Sequence, residues 1–566
     1  MSNNLRDATT RAFPNDGLCS LISAHTEMTN LKENYHQLTS DLVNVKRTLA
    51  LVAALPKFFR ERIMLQQAQE EVKRLLDTRA ERFLELVRLQ IYERPETPYL
   101  RLLKHAGCEF SDLENSINRH GLEDTLAKLA GEGVYLTSDE FKGKTEIPRG
   151  GMSFRASPKD FYRPNSSTGY TIQSSGTRNL PIGTFSSLEW LTLQAFGQAL
   201  FYCAHNLFSC AHAVYEPILA GSMKFILTYA KLGIPTDKWF ALNVGAHGLL
   251  EARYHYLNAR LVAKMGRWFG PGIANPEYLE VGDFKPILEW IQEKKHNGQN
   301  SCIRTVVSNA TRIARAALVA GISLEHVTFT VGGEPFTRSK KRLFEEAGAR
   351  IALRYGPGGD SGTSLGCGNA KFIDEMHVPQ SVVSFVENPR VLDYGGPPVH
   401  PLMVTTLHPA APRFLFNVEN GDYATMITRD CGCPLEKVGF TQHIHTVRSF
   451  EKMTSEGMNY SGSDLFALLE DTIPSEFGGG PEDYQLVEEE DDRGQTRLTL
   501  VVHPEVGDVN ETKLLSRLQQ GLAQGSRNHR FISKIWQDAG AFRIRRAIPH
   551  ASARGKILPL HIKQKN

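Results

Sequence analysis

An α/β fold is predicted for this chain. It comprises a large N-terminal domain of mixed sheets covered by helices, a small mobile α+β C-terminal domain, and an extra helical segment at the N-terminus. Three observations carry that expectation. First, HVTFTVGGEPF reads as a buried strand, Val327 to Val331, entering a glycine turn. An amphipathic helix closed by Gly348 follows, and ARIALRYG then reads as a second strand ending in a glycine turn. Strand, helix and strand joined by tight glycine corners are the pattern of an α/β sheet. Second, the texture changes after Asp422: YQLVEEEDDRGQTRLTLVVH reads as two strands around an acidic turn, with helices and a basic tail beyond it. Third, 566 residues exceed what one hydrophobic core ordinarily holds. The boundaries that follow are 1–94 for the helical extension, 95–450 for the large domain and 451–566 for the C-terminal one, divided near Phe450.

From the N-terminus onward, residues 27–92 read as helix. Leu31, Tyr35, Leu38, Leu42, Val45, Leu49 and Val52 recur in steps of four and three, a heptad seam that Pro56 is expected to end. The pattern resumes from Phe58, so a helical hairpin packed on the main body is preferred over an arm that makes a homodimer. WLTLQAFGQALFYCAHNLFSCAHAVY is the least charged stretch, but its glutamines, histidines and asparagine are costly in lipid, so a buried helix is expected and not a membrane span. The start of the chain lacks the apolar core of a signal peptide, which predicts a cytoplasmic protein. Sixty-five basic against 62 acidic residues leave a net charge of +3, no basis for a nucleic-acid partner.

Cys19, Cys108, Cys203, Cys210 and Cys302 are scattered and read as small core residues. Cys367, His377, Cys431 and Cys433 are different: C-x9-H, a long gap, then C-x-C supplies four soft or borderline ligands of the kind zinc takes in a tetrahedron. The spacing is not that of a standard finger, and a pair of loop thiols with an unrelated histidine is the plain alternative.

The segment SSGTRNLP, Ser174 to Pro181, offers hydroxyls on Ser174, Ser175 and Thr177, and Gly176 lets backbone N–H groups turn toward an anion. Alone it is a common polar loop, and no Walker-type sequence supports it. Four further signals follow in order: TVGGEPF (330–336), RYGPGGDSG (354–362), ENGDY (419–423) and SARGKI (552–557). The series resembles the adenylate-forming superfamily of acyl-CoA synthetases, in particular its phenylacetate–CoA ligase-like branch, over about residue 95 to the C-terminus.

That resemblance implies ATP-dependent activation of a small-molecule carboxylic acid to an acyl-adenylate, then transfer to a thiol, coenzyme A by default. A separate carrier protein, an enzyme cysteine or an amine are the other acceptors, and a non-catalytic nucleotide- or acyl-binding subunit is the rival from a different class. ATP, Mg2+, coenzyme A and a structural zinc are the implied cofactors. By resemblance Ser174, Ser175, Gly176 and Thr177 cradle phosphate, while Gly333 and Glu334 lie by the nucleotide. Tyr355 and Gly356 meet adenine, Asp422 and Arg448 the ribose, and Glu451 is the hinge acid. Gly332 and His247 fall where the acyl pocket is expected, although His247 is equally a core histidine. Lys556 places a cation where charge accumulates during attack on the α-phosphate. The family's loop lysine is Leu180 here and its second glycine Asn179, leaving Arg178 as the nearby cation; the magnesium glutamate is Gly359, leaving Asp360 one position later. The Cys…His and Cys-x-Cys elements also stand where this branch often carries them.

Overall fold

The computed structural model describes residues 49–161, 168–173, 183–218, 222–242, 249–280, 282–357, 362–389, 400–449, 454–455, 458–459, 462–490, 496–524, 542–552 and 555–562. A mixed twelve-stranded sheet forms the centre of the larger unit. Hairpin strands β1 (Gly169–Gln173) and β2 (Gly183–Ser187) stand outside it and flank the serine- and glycine-rich segment. The sheet itself runs through β3 (Ala211–Glu216), β4 (Thr236–Leu242), β5 (Pro276–Leu279), β6 (Ser301–Val306), β7 (Val327–Gly332) and β8 (Arg350–Tyr355). Short strands β9 (Ser364–Gly366) and β10 (Met376–His377) follow, then β11 (Val383–Glu387), β12 (Pro401–Thr406), β13 (Val418–Thr428) and β14 (Gln442–Ser449).

Strand order is β11-β12-β13-β14-β10-β9-β8-β7-β6-β3-β4-β5. Strands β3 to β8 are all parallel, in the order β5-β4-β3-β6-β7-β8. The chain reverses its direction of travel across the sheet between β3 and β6. At such a switch point the connections leave on opposite faces and open a crevice beyond the carboxyl ends of the strands. From β9 onward the pairing is antiparallel.

The central parallel strands β3, β6 and β7 are buried along their whole length because both faces are covered. One face packs Ile303, Phe329 and Val331 with Ile287, Trp290 and Ile313. The other packs under helices α1 (Leu188–Ala204) and α2 (Met223–Lys231), with Tyr202, Ile226 and Tyr229 against Val214 and Trp239. The stretch expected to be one buried helix is therefore a helix followed by strand β3. Asn206, at φ 55, turns the chain between them.

The helix over 49–60 passes through Pro56 where the sequence reading ended it. Leu55, Phe58 and Phe59 are buried in the second core, and that burial outweighs the single hydrogen bond a proline removes. Leu65–Asp77 continues on the same core through Ala68 and Val72. The remaining heptad positions before residue 49 lie outside the described residues.

Toward the C-terminus a second sheet orders as β17-β16-β15-β18. Its hairpin is β15 (Tyr484–Glu490) with β16 (Thr496–Val502), and the basic tail supplies β17 (Phe542–Arg546) and β18 (Leu560–Ile562), each parallel to its neighbour. Leu486, Leu498 and Leu500 pack against Leu514 and Leu518 of the helix Glu511–Ala523, making a separate small core. No helix among the described residues is long and apolar enough to cross a membrane.

Candidate active site

The carboxyl ends of β6, β7 and β8 carry the groups that meet the C-terminal unit. Past β6, helix α3 (Val307–Val319) begins, and past β7 comes the Gly333–Glu334 turn. Glu334 reaches across to α3: Ser308 donates its backbone N–H to Oε2 at 2.9 Å and its hydroxyl to Oε1 at 2.5 Å. Ile557 donates its N–H to the same Oε1 at 3.1 Å and to Ser308 Oγ at 3.1 Å. One carboxylate thus ties the first turn of a helix to the residue after Lys556.

Lys556 is itself largely buried. Its loop closes on itself, with the N–H of Ser552 donated to the carbonyl of Lys556 at 2.8 Å. Arg312 of α3 donates to the Gly555 carbonyl at 2.6 Å. Two glycines make the approach possible. A Cβ on Gly333, at φ +84, would stand 2.9 Å from Lys556 Nζ; one on Gly555, at φ +79, would stand 2.3 Å from Asn309 Oδ1. The ammonium therefore lies over the Gly333 turn.

Further contacts hold the small unit in this position. Arg315 pairs with Asp483 at 2.6 Å and donates to the Pro481 carbonyl at 2.7 Å. Buried Lys340 pairs with Glu470 at 2.8 Å. Among these groups sits Glu482, buried and at φ 81, with neither carboxylate oxygen hydrogen-bonded. Burial pushes its carboxyl up to about 8 from an ordinary value of 4.5, against the pull of Lys340, Arg312 and Arg315 and with a smaller push from Glu334. A raised carboxyl favours the folded state while it holds its proton. Its contribution is complete below about 4.5 and lost as pH rises through about 8. The thermal midpoint is expected to fall between pH 5 and 8 (roughly the span between those two values), and Glu482→Gln to flatten that slope. An identical slope in the variant would remove Glu482 from the account.

On the antiparallel side, Tyr355 donates its hydroxyl to Asp422 Oδ2 at 2.9 Å, and Asn420 donates to the same hydroxyl oxygen at 2.5 Å. Burial, then the neighbouring Asp422 carboxylate, pushes the Tyr355 phenol well above its ordinary range, so it remains a donor. Asp422 is opposite Ser449 and Tyr423 opposite Arg448 across β13 and β14. Alternation then projects Asp422 and Arg448 to opposite faces. Arg448 donates to Asp374 at 2.9 Å, and its guanidinium lies 5.9 Å from the Phe466 ring.

Lys556, Gly333 and Glu334 are thus brought together. Tyr355 and Asp422 form a pair, Gly356 follows at the carboxyl end of β8, and Arg448 turns to Asp374. Gly332 ends β7, where it pairs with Arg354. Ser174, Ser175, Gly176, Thr177, Arg178, His247, Asp360 and Glu451 lie outside the described residues. Sequence reasoning missed Ser308, Arg312, Lys340 and Glu482. None belongs to a motif, and each acquires a role only from the packing of the C-terminal unit.

No protein-family model and no curated protein matches the sequence. Among solved structures the chain is similar to a 2-hydroxyisobutyryl-CoA ligase in a postadenylation state, at 13% identity, covering 86% of this chain and 89% of that one, TM-score 0.49. It is also similar to the O-succinylbenzoate coenzyme A synthetase of Bacillus subtilis bound to ATP and magnesium, at 12% identity, 70% of each chain and TM-score 0.41. The amide bond synthetase of Marinactinospora thermotolerans gives 12% identity, 87% of this chain and 98% of that one, TM-score 0.39.

A second constellation closes the other end of β13 and β14. Cys367, His377, Cys431 and His443 present ligand atoms all within 4.8 Å of one another. Cys433 joins them, its Sγ 3.2 Å from His377 Nε2, while Cys431 Sγ stands 3.6 Å from the same nitrogen. His377 Nδ1 is 2.7 Å from the Phe440 carbonyl, which pins that nitrogen as the donor and leaves Nε2 with its lone pair toward the thiols. His443 is the cross-strand partner of His377, with ring centroids 4.0 Å apart, and was not anticipated because no spacing marks it. Contact with Cys367 holds the Cys433 thiol far below its usual range and drives Cys367 upward. This Cys/His cluster could hold a metal ion. It follows β13, whose six residues beyond Asp422 span roughly 20 Å. The cluster therefore lies at the far end of the strand from Asp422.

Proposed function

We propose that this chain is an AMP-forming acid–thiol ligase: it activates a carboxylic acid with ATP to an acyl-adenylate and passes the acyl group to a thiol, coenzyme A first among acceptors. The observation that carries this reading is Lys556 over the Gly333 turn, its loop fastened to Glu334 and Ser308. In-line attack of a carboxylate on the α-phosphate builds negative charge on the phosphate and on the departing pyrophosphate. A buried ammonium fixed beforehand at that point lowers the barrier without reorganisation. Asp422, steadied by Tyr355, would accept from ribose hydroxyls, and Ser174 to Thr177 with Arg178 would face the β- and γ-phosphates. Asp360 would hold Mg2+ and Glu451 would serve as the pivot between half-reactions. Gly332 and His247 would border the acyl group. The large unit of 95–450 would bind both substrates and 451–566 would close over them. The motif order supports the phenylacetate–CoA ligase-like branch.

The Cys/His cluster suits zinc. In a tetrahedron with Zn–S of about 2.3 Å and Zn–N of about 2.0–2.1 Å, sulfur and nitrogen ligands stand about 3.5 Å apart. The separations of 3.2 and 3.6 Å from His377 Nε2 bracket that edge. Cys367, His377, Cys431 and Cys433 would hold the ion, which would cross-link the β9–β10 turn to the β13–β14 loop.

Acid-dependent exchange of labelled pyrophosphate into ATP, across a panel of carboxylic acids, tests the activity. Exchange with one class of acid is the expected result; ATP binding with no exchange from any acid would leave a nucleotide-binding subunit instead. Adding coenzyme A, a carrier protein or an amine to the exchanging acid then identifies the acceptor.

A further inference from the structure

Beneath the switch point lies a charge arrangement that the motifs do not explain. Arg304 on β6 and Arg354 on β8 are both 6% exposed. They face α1 and α2, their guanidinium carbons 4.1 and 4.9 Å from the centre of the same ring, Phe225. Arg304 donates to the Thr330 carbonyl at 2.8 Å and stands 3.6 Å from Glu216, at the end of β3. Arg354 has a ring face but no carboxylate, and its Nε and Nη1 have no hydrogen-bond partner.

Two cations here face one acid among the described residues. The other titratable neighbours, Tyr202, Tyr229 and Cys302, are all pushed upward by burial and carry no charge. Burial, reinforced by Arg304, lowers even the Arg354 guanidinium to about 10. A buried guanidinium with unmet donors is expensive, and its planar fork matches a carboxylate or phosphonate. The place is equally telling. Glu216 and Arg304 stand on the two strands that part at the switch point, where ligands enter sheets of this order. Arg354 pairs with Gly332, one residue before the turn over which Lys556 lies. Arg304 is two residues deeper than Val306, the partner of Gly332, about 7 Å farther into the sheet.

We propose that the acid activated by this chain carries a second oxyanion at its far end, bound by Arg354 and Arg304 on the floor of the switch-point crevice. This rests on the ligase reading above and names its substrate class: one carboxylate at the Lys556 end to be activated, another anionic group held deep. Among the described residues Glu216 limits the surplus to a single positive charge, which one monoanionic group would neutralise.

Calorimetric titration of the full chain without ATP tests the anion site directly. The probes are the dicarboxylates from succinate to suberate, the monocarboxylates of equal length, and the matching ω-phosphono acids. At least tenfold tighter binding of an oxyanion-bearing acid over its monocarboxylate is expected at one length, and the preferred head group identifies the oxyanion. Arg354→Met is expected to cut that ratio tenfold or more, with Arg354→Lys between. The unliganded Met variant is expected to melt no lower than the parent, because Arg354 has no hydrogen bond to lose; an arginine of purely structural role would melt lower. Equal binding of the oxyanion-bearing acids and their monocarboxylates, or a ratio that survives Arg354→Met, overturns the proposal. A clear binding preference without pyrophosphate exchange would overturn the ligase reading and leave the anion site standing.

Discussion

Lys556→Ala is expected to lower acid-dependent pyrophosphate exchange by about 10²–10³-fold, the range seen when one preorganised charge-stabilising group is removed. ATP binding should change far less, because the ammonium acts on charge that develops in the transition state. The reason lies in how the lysine is held. Its loop is fastened by Glu334, Ser308 and Arg312, so Nζ is fixed before substrate arrives. Gly333→Ala is the companion experiment. Its Cβ would stand 2.9 Å from Nζ, so the ammonium must shift, and displacement of about 1 Å can cost as much as 10²-fold. Transfer of a preformed acyl-adenylate to the thiol should be affected less by either change, since no charge then builds on pyrophosphate. Exchange that persists undiminished in Lys556→Ala would dismiss the lysine from the chemistry.

The second large effect concerns the Cys/His cluster. Protein purified without added metal is expected to hold close to one equivalent of zinc, and less than about half would count against the site. Chelation under reducing conditions should lower the thermal midpoint by at least about 5 °C, because the binding free energy of a structural site is folding free energy. Cys433→Ser and His377→Ala should reproduce the loss. His443→Ala decides between two ligand sets. If metal content survives, Cys433 completes the tetrahedron; if metal is lost, His443 does. Since roughly 20 Å of strand separates the cluster from Asp422, stability should suffer before the rate of exchange in the surviving folded protein.

Much of the architecture was legible in particular stretches. The β7–helix–β8 unit could be read from Val327 to Gly356 because apolar runs and glycine corners are local properties. The acidic hairpin of β15 and β16 was legible for the same reason. Pro56 misled because local propensity favoured a break that the burial of Phe58 and Phe59 overrode. Cys367, His377, Cys431 and Cys433 were marked by residue type, yet His443 joined them only because β10 pairs with β14.

The sequence by itself determined the alternation of strand and helix, the glycine corners, and the order of the hydroxyl-, glycine- and charge-bearing motifs. These depend on neighbours a few positions apart. Tertiary structure alone decided that Glu334 fastens the Lys556 loop, that Glu482 is buried beside cations, and that Arg354 faces Arg304 without a carboxylate of its own. Within ARIALRYG, Arg354 is one more polar residue in a strand, and Arg304 lies fifty positions earlier. Whether a charge is paired depends on what strand order brings within a few ångströms and on how much water is removed. Both are set only when β6, β7 and β8 close under α1 and α2.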